Sequence, residues 1–325
     1  MTDTASPSAA LPLTRLHLTV QAGAPLQLPP YAGSMLRGAW GHALLALSPL
    51  PHQDGQPCAL HASCPYCQLF AAPPLPGHSL QKFSHMPQPY VIEPPLGGAQ
   101  RLQAGQSFGF DLVLIGKALA LRPVVEQAWQ RALRTGLGAN HAPCTLLEIK
   151  EGNGLQSLPG KREQLSNLND EARAPNLLPL PLGEGRGEGM PATATLHFHT
   201  PLRLQVHGKP ARANQLTARD LLIALARRHQ LLRDVHLGAT APQYDFKTLV
   251  EQTEVIQLQA QDLRWFDWGR YSQRQQQEMQ LGGLLGAVTL HGDLAPFAEL
   301  LHLGQWLHVG KNATMGLGGY RLTAS

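Results

Sequence analysis

Apolar side chains recur at every second position from Leu16 to Val20, with Arg15, His17 and Thr19 among the alternate positions. This period of two predicts a strand over residues 13–20. The period then changes. Leu36, Trp40, Ala43, Leu44 and Leu47 keep helical spacing after Pro29-Pro30, and Pro49 and Pro51 close the helix. Strands are predicted over 89–92 and 108–115, a helix over 119–133, and a strand from Cys144 to Lys150. The order β-α-β-β-α-β is the ferredoxin-like arrangement that RNA-recognition domains also use.

The second half repeats that order. A strand is expected over 193–206, with Pro201 a candidate interruption. Thr217-Ala-Arg-Asp220 resembles a capping box opening a helix to about residue 235. Strands over 255–268 and 284–291, a short helix over 296–303 and a closing strand over 320–323 follow. The expected fold class is α+β: two tandem ferredoxin-like (RRM-like) domains, 13–151 and 193–325, with a C-terminal glycine-rich loop over 310–319. Residues 1–12 read as a disordered tail. Residues 152–192, with Pro-Leu-Pro-Leu-Gly-Glu-Gly-Arg-Gly-Glu-Gly, read as a disordered low-complexity linker, because this composition offers too little apolar area to offset ordering entropy. A Pro- and Cys-rich insertion over 49–86 interrupts the first domain.

Composition narrows the function classes only modestly. A chain of 325 residues with 43% hydrophobic content can fill two cores. No apolar run is long enough to span a bilayer and no signal peptide is visible, so a cytoplasmic protein without membrane contact is expected. A net charge of +4 permits nucleic-acid binding without requiring it. Folding, rather than a charged tail, has to focus the basic groups.

Two clusters offer chemistry. Cys58, Cys64 and Cys67 form C-x5-C-x2-C, with His52 and His61 nearby and Cys144 remote. Such donors suit a structural zinc clip, and equally a reduced cysteine cluster with packing roles. The run His308–Leu322 carries Gly310, Gly316, Gly318, Gly319 and Lys311. Successive backbone N–H groups in a glycine turn suit phosphate oxygens, and Lys311 can reach phosphate. Its spacing is neither a Walker motif nor a dinucleotide fingerprint. Basic groups are also candidates for RNA binding at Arg270, Tyr271, Ser272 and Arg274, after the Trp-rich strand, and at Arg227 and Arg233 on the helix from Thr217. Arg228 falls on that helix's apolar stripe. Trp265 and Phe266 have to point to opposite faces of their strand.

The glycine loop, Trp265-Phe-Asp-Trp-Gly-Arg-Tyr-Ser-Gln-Arg-Gln275, Met279–Gly286 and Leu300–Gly304 occur in that order, after Leu36-Arg-Gly-Ala-Trp-Gly-His-Ala-Leu44, Leu112–Lys117 and Gly136-Leu-Gly138. Together they resemble the CRISPR precursor-RNA-processing endoribonuclease family, a group of repeat-associated RNA-binding proteins. The resemblance implies metal-independent cleavage of CRISPR repeat RNA by 2′-hydroxyl attack, with no cofactor for the chemistry. Products would carry 2′,3′-cyclic phosphate and 5′-hydroxyl ends. It implies a histidine near the first helix as general acid or base, with a tyrosine and a basic residue close by. His42, Tyr31 and Arg37 fit, with His17 and His141 as rivals. On the helical wheel His42 and Gly38 lie opposite the apolar face. Partners would be crRNA and other effector-complex subunits. Two alternatives stay open: a crRNA-binding subunit without cleavage, and a zinc-dependent nucleic-acid protein.

Overall fold

The computed structural model describes residues 11–49, 52, 58–71, 86–152, 192–206, 208–237, 243–267, 269–272, 277–280 and 282–324. The linker expected over 152–192 lies outside them apart from its two ends, as do residues 1–10. The first half runs β1 (Leu13–Ala22), β2 (Leu26–Leu28), α1 (Gly33–Ala46), α2 (Pro65–Leu69), β3 (Tyr90–Glu93), β4 (Gln100–Leu102), β5 (Ser107–Ile115), α3 (Arg122–Thr135) and β6 (Cys144–Gly152). Its sheet has the order β3-β5-β1-β6, with every pairing antiparallel.

The second half runs β7 (Thr193–Leu202), β8 (Gln205–Val206), β9 (Lys209–Pro210), α4 (Ala218–His236), α5 (Phe246–Thr253), β10 (Gln257–Phe266), β11 (Gly269–Ser272), β12 (Gln277–Gln280), β13 (Gly283–His291), α6 (Ala298–Leu307) and β14 (Tyr320–Ala324). Its sheet has the order β10-β13-β7-β14, again antiparallel. In both halves, then, the opening strand lies between the third and fourth strands of the sheet.

The alternation in β1 is explained by its two neighbourhoods. Leu16, Leu18 and Val20 face the first core, where Trp40 of α1 stacks on Trp129 of α3 at 5.8 Å between ring centroids. Losing a ring this buried costs about 3–5 kcal/mol. The opposite face is not open to water. Arg15 lies over the Trp306 ring of α6, and Leu13 joins Val91, Val113, Ile115, Leu232 and Leu307 in a separate cluster between the halves. Leu11, assigned to the tail from sequence, is buried in that same cluster. In β5, Leu112 and Leu114 enter the first core while Val113 and Ile115 enter the seam. The unbroken apolar run is thus a strand covered on both faces.

The second core packs α4 and α6 on their sheet, with Leu221, Leu222 and Leu225 against Leu301, Phe198 and Tyr320. The capping box forms: Asp220 N donates to Thr217 Oγ1 at 3.1 Å and Thr217 N donates to Asp220 Oδ2 at 3.2 Å. Arg228 has a definite role here. Its Nε donates to the Leu307 carbonyl at 2.6 Å, which places a cation at the C-terminal end of α6. Burial lowers its pKa to about 10.

Candidate functional site

The glycine-rich loop is the keystone of the seam. Tyr31 is 7% exposed and its hydroxyl donates to the Met315 carbonyl at 2.8 Å. Thr200 Oγ1 donates to the Gly316 carbonyl and accepts from Gly319 N, each at 2.7 Å. At Gly316, with φ 89°, a Cβ would run into the Ile92 carbonyl of the other half, so glycine is required both by conformation and by close approach.

This corrects the expectation of bare amides. Gly316 N donates to Ala313 O at 2.8 Å, Gly318 N to Pro201 O at 3.0 Å, and Lys311 N to Arg203 O at 2.8 Å. The Gly316 and Gly318 amides are therefore committed to protein oxygens. The partly exposed part of the loop is Gly310, Lys311, Asn312 and Thr314. Burial and then the Arg203 charge lower the Lys311 pKa, which marks a concentration of positive charge on that rim.

A polar row crosses the seam face of the first sheet, where Glu93, Asp111, His17 and Lys150 sit in register on β3, β5, β1 and β6. His17 Nδ1 lies 2.7 Å from Asp111 Oδ1. Glu93 accepts from Arg15 Nη2 at 2.9 Å and from His308 Nε2 at 3.0 Å. Burial opposes ionisation of Glu93, but the His308 hydrogen bond and the Arg15 charge outweigh it and hold the carboxyl below its usual range. Sequence reasoning missed Glu93 and His308. The double-sided apolar run of β5 was the signal that this face meets a partner.

The three residues expected around the chemistry are separated. Tyr31 lies in the seam, and burial followed by the Glu93 charge raises its pKa well above normal. Arg37 Nε donates to Tyr90 Oη at 3.0 Å, and its guanidinium lies 4.2 Å from the Phe70 ring centroid. His42 is exposed, ~140° around α1 from Arg37. It stands about 14 Å along the helix axis from Gly33, where α1 touches the loop. Of the rivals, His17 is held by Asp111, while His141 is exposed on a turn with φ 48°.

Among the residues expected to bind RNA, Arg270, Tyr271 and Ser272 fall on β11, which pairs with β12 in a two-stranded sheet of its own. Arg274 lies outside the described residues. Arg227 is exposed, but Arg233 is buried, with its guanidinium 6.0 Å from the Tyr244 ring, so its expected reach towards RNA is corrected: α5 and the segment before it cover that face. Trp265 is 39% exposed beside Arg212 and Asn214, whereas Phe266 packs towards Tyr31 and Leu317, so the two rings do take opposite faces.

The CRISPR-associated endoribonuclease Cas6 family model matches residues 196–320, and an N-terminal domain model, AF_1859_N, matches residues 11–174. Over residues 196–320 the chain is similar to the Cas6 family. A Cas6 product complex shares the fold at 16% identity and a TM-score of 0.57, over 96% of this chain and 100% of that one. Thermus thermophilus Cas6 follows at 17% identity and 0.53, over 97% and 100%. A partial Cas6-RT-Cas1–Cas2 complex gives 18% and 0.53, over 96% of this chain and 46% of that chain. A search of curated protein sequences gives no match. The second half, whose loop and hairpin carried the resemblance, is the part the Cas6 model covers. No helix among the described residues is long and apolar enough to cross a membrane.

Proposed function

We propose that this chain binds CRISPR repeat RNA and cuts precursor crRNA by metal-independent transesterification. The match to the Cas6 endoribonuclease model over residues 196–320 is the observation that carries this reading. The matching strand orders of the two sheets support reading each half as a ferredoxin-like domain, 13–151 and 193–325. A cytoplasmic site of action belongs with this reading. Structural neighbours described as a product complex and as a complex with RT, Cas1 and Cas2 support RNA and other CRISPR proteins as partners.

In this reading a 2′-hydroxyl loses its proton and attacks the adjacent phosphorus, while the 5′-oxygen leaves with a proton. His42, exposed and on the wet face of α1, performs one of those transfers. Tyr31 and Arg37 act at a distance from the reacting atoms: Tyr31 fixes the loop, and Arg37 fixes the helix against Tyr90 and Phe70. The Lys311 rim, the β11–β12 hairpin, Arg227 and Trp265 hold the RNA by charge and stacking. The test is the chemistry of the product ends. Incubation with a repeat transcript in Mg²⁺-free buffer should give downstream fragments that polynucleotide kinase labels without prior phosphatase treatment. Fragments bearing 5′-phosphate would overturn the mechanism.

One observation favours a second reading, a crRNA-binding subunit without cleavage. Tyr31 and Arg37 are engaged by protein partners instead of standing beside His42. Tight binding with intact RNA after prolonged incubation would establish it.

A further inference from the structure

The insertion between α1 and β3 gathers His52, Cys58, Cys64 and Cys67, with one donor atom from each lying within 4.8 Å of all the others. His52 Nε2 is 3.3 Å from Cys67 Sγ and 3.5 Å from Cys64 Sγ. Zinc bound at about 2.3 Å to sulfur and 2.0 Å to nitrogen in a tetrahedron separates those donors by about 3.5 Å. The observed spacing matches an edge of that tetrahedron. A disulfide joins sulfurs in pairs at about 2.05 Å, and all three cysteines are free.

We propose that His52, Cys58, Cys64 and Cys67 form a closed Cys₃His structural zinc site. Soft thiolate donors with one imidazole, and no water-filled fourth position, are the donor set of a structural site rather than a catalytic one. The surroundings are built to hold a thiolate. Cys64 precedes Pro65, which opens α2, and the backbone N–H groups of Tyr66 and Cys67 hydrogen-bond the Cys64 sulfur. Cys64 and Cys67 are buried.

The site would fasten the insertion across the end of α1. Cys64 Sγ lies 3.7 Å from Ser48 Oγ, just beyond the helix. The His52 ring packs edge-on to Tyr66 at 4.9 Å, and Tyr66 stacks on Phe70. Phe70 carries Arg37 on its face and fills the space a side chain at Gly41 would need. Zinc at this position therefore braces the helix turn that presents His42.

Elemental analysis of the purified full chain tests the site, together with its absorption spectrum after exchange of the metal for Co²⁺. One zinc per chain, replaced by cobalt with thiolate charge-transfer and tetrahedral d–d bands, is expected. Cys58→Ser and Cys64→Ser should each lose the metal, while Cys144→Ser, altered at a buried thiol outside the cluster, should keep it. Stripping the wild type with a chelator should lower its melting temperature. Folded wild-type protein that takes up no zinc on reconstitution would overturn the proposal. So would equal zinc content in the Cys58→Ser and Cys64→Ser variants, iron–sulfur absorbance in the purified protein, or a disulfide within the cluster in unreduced protein.

Discussion

His308 Nε2 and Glu93 Oε1 meet at 3.0 Å across the seam, joining residues 215 positions apart in the chain. The other imidazole nitrogen faces the carbonyls of Gly316 and Leu317 at 3.0 and 3.2 Å. Oxygen atoms thus face both nitrogens of the ring. His308 is wholly buried, with Arg15 on the same carboxylate. One buried cluster of Arg15, Glu93 and His308 thus ties the glycine loop to the first sheet.

Removing the carboxylate leaves the Arg15 guanidinium and the His308 ring without their shared acceptor. Glu93→Ala should lower unfolding free energy by about 3–5 kcal/mol, the usual cost of breaking a buried pair by deleting one partner. Urea titration followed by circular dichroism measures it. A change below about 0.5 kcal/mol would mean the contact is not formed in solution.

Glycine substitutions should separate by sign. Gly318, with φ 72°, would drive a Cβ into the Val309 carbonyl, so Gly318→Ala should destabilise by more than about 1 kcal/mol. Gly38 sits inside α1 with no atom within 4 Å of a Cβ placed there, so Gly38→Ala should stabilise by about 0.5–1 kcal/mol. Differential scanning calorimetry of the two variants reads both signs.

Much of this framework could be read in the sequence, and what could not has physical causes. Period-two and helical patterns placed β1, α1, β5 and α4, because each buries one face against its own core. The capping box at Thr217 was local, hence readable. The commitment of the Gly318 and Lys311 amides was not, since their acceptors, Pro201 and Arg203, lie over 100 residues away. The partners of Tyr31 and Arg37 were equally hidden, because Met315 holds the first and Tyr90 and Phe70 hold the second, all outside the local pattern. Arg233 was expected to meet RNA because the sequence of α4 alone cannot show that the segment around Tyr244 returns over it.

Stability should fall on acidification. Burial, followed by the charge of Arg233, lowers the His229 pKa to about 4. Burial also lowers His236 to about 4, against the Pro87 carbonyl bond that raises it and with the Lys117 charge that lowers it. The unfolded chain takes up these protons near pH 6.5, while the folded chain stays neutral until about pH 4. The contribution of both neutral rings is therefore complete above pH 6.5 and lost progressively down to about 4. Denaturant midpoints at pH 7.5, 6 and 5 should decline in that order, and a flat profile would contradict the burial of the two rings.

The exposed Trp265 ring should stack on a base. Trp265→Ala should weaken repeat-RNA binding by about 1–3 kcal/mol and leave the melting temperature nearly unchanged. Fluorescence anisotropy with labelled RNA measures the first and calorimetry the second. Unchanged affinity would remove Trp265 from the RNA surface.

The most direct test is single-turnover cleavage of a repeat transcript by wild-type and His42→Ala protein, run side by side in Mg²⁺-free buffer with affinity measured on the same RNA. Wild-type protein should cut the transcript, and His42→Ala should bind with near wild-type affinity but lose cleavage by at least about 100-fold. Cleavage by His42→Ala at the wild-type rate, or intact RNA with the wild-type protein, would contradict the account.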